Sequence, residues 1–269
     1  MRFIVGNQSN KDERDELLTR FLVNAQDGDV IELLPGTYFS KDNPFICNIE
    51  RNITIVGQSE NQNDVTLYCS FTVGADTLMI FRNLIVNYPA DEDNTLSAFD
   101  GAEIYCDNVK IDRNTSDYWD TIYGQNSFFS FKDSSIMTGS KTKAIGISLE
   151  NSQMFADNTY FQLLFQKNSL VYLKDSLVTH KLELRRHSRL FFKNIKVDSS
   201  MTDNKDDLAV KSGSQMNGQD LVFASENPQV RILKSHFDVS NFQPGSKNIN
   251  FKFDDSSKVI ADGKLPSRK

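Results

Sequence analysis

Residues 180–185 read His-Lys-Leu-Glu-Leu-Arg, which puts Lys181, Glu183 and Arg185 at alternate positions, with Asp207 and Lys211 one repeat further on. Alternate residues of an extended strand share a face, so these charges line up on one side with His180 beside them. Such a set could move protons, with Lys181 or Arg185 as the base and Glu183 and Asp207 orienting a substrate. The same residues also read as a row of cross-strand ion pairs on a solvated sheet. The sequence has no phosphate-cradling glycine motif, zinc spacing or nucleophile elbow. Of the remaining histidines, His187 sits in a bend and His236 stands alone.

Bulk properties narrow the classes. The 269-residue chain carries a net charge of −6, which argues against a general nucleic-acid binder. No apolar run approaches the roughly 18 residues of a membrane helix. The opening "MRFIVGNQSNKDERDELL" has three apolar residues and then a charged stretch, which is not a signal peptide. Cys47, Cys69 and Cys106 form an odd, widely spaced set, as expected of reduced thiols in a cytoplasmic protein.

The elements that must position the charges repeat. "LMIFRNLIV", "EIYCDNVKI", "FFSFKDSSI", "QMFADNTYF", "LVYLKDSLV", "RLFFKNIKV" and "QMNGQDLVF" each hold Asn or Asp at one place, from Asn83 through Asn108, Asp133, Asn158, Asp175 and Asn194 to Asp220. The phrases alternate in twos, as strands do. The columns two and four before that residue and three after it are apolar nearly throughout, so they face inward. A second strand precedes each phrase and ends at Gly101, Asn126, Asn151, Asn168, His187 or Gly213, residue types that tolerate positive φ. Each repeat therefore holds three short strands. Two of the bends are tight, and the third connection runs from almost nothing to about ten residues.

Three strands per coil stacked at roughly 4.8 Å make a solenoid, and over about residues 28–260 the pattern resembles the right-handed parallel β-helix of the pectin-lyase-like superfamily. "GDVIELLPGTY" (28–38) and "NITIVGQ" (52–58) look like that superfamily's first coils. The fold expected is all-β: a single-stranded right-handed parallel β-helix of three parallel sheets and about nine coils with an N-terminal capping helix. It reads as a single domain over 1–269. An N-terminal strand and capping helix occupy 1–27, regular coils 28–235, and irregular coils and a tail 236–269. In the helix, within 9–25, Leu17, Leu18, Phe21 and Leu22 share one face.

The resemblance implies that a substrate would lie along the outer face of the strand before the first tight bend. Polygalacturonase-type members carry an aspartate cluster there, and pectate-lyase-type members bind Ca²⁺ through several carboxylates and use a basic residue. Neither pattern carries over, since Glu183 is the one outward carboxylate expected among those strand pairs. The face splits instead into an apolar half, Phe99, Ile122, Ile147, Leu149 and Leu164, and the charged half. The loops "NTSDYWDT" and "MTGSKTKA" would cover the apolar half, or it would bind a partner. Trp119 would act as a lid or a sugar-stacking residue, or cover Ile122 and Ile147. On the next face Tyr105, Phe155, Tyr172 and Phe191 form an aromatic stripe with Phe128 and Leu170 beside it, able to stack on sugars or pack on protein. The leading expectation is a non-catalytic binding or scaffold protein that engages a protein partner, a second subunit or a glycan. The alternative is a polysaccharide-active enzyme, lyase or hydrolase, using Lys181, Glu183, Arg185, Asp207 and His180. No cofactor or metal is expected, except Ca²⁺ under the lyase alternative, and neither nucleic acid nor a membrane is expected as a partner.

Overall fold

A computed structural model describes residues 1–113, 118–138, 146–199, 206–225, 227–243, 249–264 and 266, with side chains for all of these except 242 and 243. Counted along the chain, it is an all-β parallel solenoid of about nine turns with one α-helix near the N-terminus. Contacts divide the chain into two compact units, Met1–Ala144 and Ile145–Lys269.

In the first unit, Arg2–Val5, Asp29–Leu33, Ile53–Gly57 and the start of Leu78–Asn87 pair in parallel, each one coil beyond the last. Leu33 ends its strand because Pro35 and Gly36 follow, and Gly36–Tyr38 begins the next side of the coil by pairing with Val65–Leu67. The amphipathic segment becomes the helix Lys11–Val23, capped by Asn10, whose side chain accepts from the Glu13 N–H at 2.9 Å. Leu18 and Leu22 are buried, and Phe21 stacks on Phe3 at 4.3 Å. The inward columns stand as expected: Met79, Phe81, Ile104, Phe129 and Phe131 are all at most 1% exposed. Each such side chain contributes about 1.5–3 kcal/mol of apolar burial, set against the entropy of ordering the coil.

The corner columns are also as expected. Asn83, Asn108 and Asp133 have φ of 54°, 55° and 49°, and Asn108 Nδ2 donates to Asn83 Oδ1 at 2.9 Å. In the second unit Asn158, Asp175, Asn194 and Asp220 have φ between 47° and 62°. There Asn194 donates to Asp175 at 2.7 Å and Asn241 to Asp220 at 3.1 Å. The other bend repeats the device, with Asn168 donating to Asn151 at 2.6 Å. A serine follows the bends at Asn126, Asn151, Asn168, His187 and Gly213, while Ala102 follows Gly101. The backbone N–H of Ser152 donates to Ser169 Oγ and that of Ser169 to Ser188 Oγ, while the three hydroxyls donate to Glu150, Lys167 and Arg185 carbonyls. Buried corner amides that no strand partner reaches are thereby satisfied.

The second unit departs from expectation at its end. His236–Gln243, Asn250–Phe253 and Lys258–Ala261 remain in parallel register with the preceding coils, so regular pairing continues to Ala261. It also carries one anomaly in its core. Gln166 is fully buried between Leu149 and Leu184, and neither atom of its amide has a hydrogen-bond partner among the described residues. Gln166→Leu should therefore raise the free energy of unfolding by about 1–3 kcal/mol in denaturant titration. A loss of stability would show that the amide is satisfied after all. At the neighbouring corner Gly213 has φ +78°, and a Cβ there would stand 2.5 Å from His187 Nδ1. Gly213→Ala should cost about 1–3 kcal/mol by the same titration.

Candidate functional site

The apolar half of the expected groove does not exist. Ile122 and Gly124 are in register with the inward Leu96 and Ala98, and Leu164 with Leu182, so Ile122, Ile147, Leu149 and Leu164 all lie in the core with no exposed surface. The outward residues are Tyr123 and Gln125 in the first unit, and Ser148, Glu150, Phe165 and Lys167 in the second. The phase of these three strands is shifted by one residue from the expectation, and such a shift turns every side chain over. The cause is local, because "LLFQ" offers apolar residues at both parities and the connection before it is only Leu163, at φ 54° in a β-bulge. Phe99 alone of the expected patch faces outward, half-buried, with its ring 5.8 Å from Tyr123. Trp119 is 40% exposed and Ile122 is inside the coil, so it does not cover that residue. The rest of that loop, 114–117, and the loop 139–145 lie outside the described residues.

Of the charged half, Lys181, Glu183, Arg185 and Lys211 come together, and two further residues join them. Lys181 Nζ lies 2.7 Å from Glu183 Oε2, Arg185 Nε 2.5 Å from Glu183 Oε1, and Lys211 Nζ 3.1 Å from the same oxygen. Lys211 also reaches Asp206 at 3.9 Å, and Arg231 Nε contacts Asp206 at 2.9 Å. The Arg185 guanidinium lies over the Phe165 ring at 5.3 Å, and Lys167 pairs with Glu150 one coil before. Two carboxylates thus collect four cations on one sheet face. Burial alone would raise the Glu183 pKa, but the hydrogen bonds and charges of the surrounding cations outweigh it and bring it to about 2. Arg231 and Asp206 were missed. The register signal existed, since "QVRIL" aligns on "LAVK" one coil earlier.

Asp207 and His180 do not join this site. The buried Asp207 carboxylate accepts from the Gln229 N–H and from Ser225, and burial raises its pKa against those bonds. His180 is a buried corner residue at φ 70° with Nδ1 3.1 Å from Thr179 Oγ1, and burial lowers its pKa. The aromatic stripe survives in part. Phe155, Tyr172 and Phe191 form a ladder, at 4.7 Å and 8° and then 5.3 Å and 18°. Tyr105 is in register with Ser130 rather than an aromatic, and touches Phe128 only obliquely at 46°. Among the described residues no three His, Cys, Asp or Glu side chains converge to hold a metal. Glu183 and Asp206 already hold cations, so this set does not fit Ca²⁺, which takes six or more oxygens.

No family model matches the chain, and no curated protein matches it. Solved structures do resemble it. An alginate lyase from Paenibacillus sp. str. FPU-7 aligns at 14% identity over 96% of this chain and 99% of that one, TM-score 0.46. The PL6 family alginate lyase AlyGC aligns at 12% identity and TM-score 0.51 over 98% of this chain, which spans 39% of that protein. Pectate lyase Pel9A aligns at 13% identity and TM-score 0.45 over 98% of this chain and 79% of that one. At 12% identity the likeness to AlyGC supports the fold alone, a parallel β-solenoid.

The charged face makes its own prediction. Glu183 has a folded pKa depressed from its ordinary 4.5 to about 2, so its contribution is complete above pH 4.5 and is lost as pH falls through 2. Up to roughly 3 kcal/mol should titrate in that window. Glu183→Gln should lower stability at neutral pH, by leaving three cations without their shared anion, and should flatten the acid limb of the stability–pH curve. An unchanged acid limb would show that the network contributes nothing.

Proposed function

We propose that the chain is a polysaccharide-active protein that binds an acidic polysaccharide along the first-strand face of its second unit, and that the reaction suited to this face is β-elimination. The observation that carries the reading is the convergence of Lys181, Arg185, Lys211 and Arg231 on only two carboxylates. The charge distribution supports it, since residues 145–269 carry 18 Lys and Arg against 14 Asp and Glu, while residues 1–144 carry 12 against 22. A face with surplus cations attracts uronate carboxylates and steers them in.

The chemistry follows from protonation states. Hydrolysis of a glycosidic bond needs a carboxylic acid to protonate the leaving oxygen. Glu183, with a pKa of about 2, has no proton to give at neutral pH. Elimination needs instead a cation to neutralise the uronate carboxylate, which acidifies the neighbouring C–H, and a base to take that proton. Arg185 cannot deprotonate and suits the first role. Lys181, paired with Glu183 as an ammonium, is assigned the protonation of the leaving oxygen. As the C–O bond breaks that oxygen takes the ammonium proton, solvent water takes the C–H proton, and a double bond forms in the sugar left behind. The way Lys181, Arg185 and Lys211 share Glu183 also favours a second reading, in which the network binds the polymer without turnover.

Incubating the full chain with polyuronates and following the ultraviolet absorbance of the unsaturated product separates the two. Product formation that falls at least a hundred-fold in Lys181→Ala supports the elimination. Retention on the polymer with no product leaves the binding reading. No retention and no product removes both.

A further inference from the structure

The exposed rings of the second-strand face are not used by this site, and their geometry is specific. Phe155 is 42% and Tyr172 36% exposed, yet with Phe191 they lie nearly parallel on successive coils. Their faces are therefore turned toward one another, and the surface presented outward is ring edge. The edge carries the positive end of the aromatic quadrupole, so Phe155 and Phe191 offer weak positive charge, and Tyr172 between them carries a hydroxyl able to donate to an anion. Flanking columns strengthen it, with Arg189 two residues before Phe191 and Lys193 two after it on the same strand face. Among the described residues neither has an ion-pair partner within 4 Å, whereas Lys174 is held by Asp157 at 2.8 Å and Asp175 at 3.5 Å. Between residues 158 and 197 the chain has eight Lys and Arg against two Asp and Glu.

We infer that this face is a second, non-catalytic binding surface for an acidic polysaccharide, engaging the polymer away from the first-strand site. The identification of the polymer as a glycan rests on the function proposed above; the surface itself rests on the ring and charge geometry. Single-stranded nucleic acid binds to such proteins by stacking bases on ring faces, and here those faces are turned to one another. An extended chain of uronic acids, with one carboxylate per sugar, supplies negative charge at an interval comparable to the ~4.8 Å between strands. The ladder repeats an anion-compatible group, ring edge or hydroxyl, at 4.7 and 5.3 Å.

The test uses the full chain on immobilised polyuronate, with a neutral glucan, polyglutamate and a single-stranded oligonucleotide as controls. The expected result is salt-sensitive retention on polyuronate that weakens roughly ten-fold in the Arg189→Glu, Lys193→Glu double variant. Product formation from a short oligouronate should stay unchanged. Tyr172→Thr, which keeps a strand-forming residue but breaks the ladder, should weaken retention as well. Its melting temperature reports whether it is folded, and the charge variants replace exposed residues. Unchanged retention in the double variant overturns the inference while leaving the first-strand site standing. Retention that falls in the double variant but not in folded Tyr172→Thr removes the ladder's part in it. Equal retention on polyglutamate or the oligonucleotide overturns the glycan assignment. Retention on polyuronate without any product overturns the proposed reaction and leaves this surface in place. No retention of the wild-type chain overturns both.

Discussion

The described strands are placed by one requirement: at the tight corners of each coil the backbone must turn without leaving its amides unpaired, and the turn must fall at the same point in the next coil. Asn, Asp and Gly meet the first half because they accept positive φ. Asn meets the second half as well, since its amide nitrogen reaches the carboxylate or carboxamide of the corner before it, as Asn194 does with Asp175. The serines that follow the bends close what remains by taking corner N–H groups and returning hydroxyl protons to carbonyls. These are small contributions, of the order of 1 kcal/mol each, but they recur in register. A misplaced corner would displace every strand beyond it.

That register turns distant sequence positions into neighbours. Glu183 and Lys211 are 28 residues apart in the chain and 3.1 Å apart in space because one coil separates them. The charged face is thus a product of coil length, and so is its electrostatic state. A carboxylate this buried would take up a proton if it stood alone. Three cations hold it ionised instead, and this decides which chemistry the face can perform. The aromatic ladder is made by the same geometry, since rings one coil apart are brought to stacking distance whatever lies between them in sequence.

The strain in the second unit lies near these two faces. Leu163 and His180 turn the chain at single residues with φ of 54° and 70°, where other coils insert longer connections. Gln166, in the strand between them, is buried without a hydrogen-bond partner among the described residues. An unpaired buried amide and a leucine in the left-handed region are each unfavourable, and both fall in the coil that carries Phe165 toward the groove.

Much of this protein was legible from the order of its residues alone. Alternation in twos, an Asn/Asp column and an apolar column on either side of it are local consequences of backbone sterics and burial, so coil architecture, corners and most of the core could be read without coordinates. So could the trio Lys181, Glu183 and Arg185, because residues on one strand alternate faces wherever that strand lies. The phase of the strands around Ile122, Ile147 and Leu164 could not be read. Both parities there are apolar enough to be buried, and only pairing with the coils on either side chooses between them. Nor could sequence show that Asp207 would cap a backbone amide while Asp206 would hold Lys211 and Arg231. Adjacent carboxylates leading into the strand Leu208–Lys211 differ only in the direction they face, and that direction is set by the neighbouring coils.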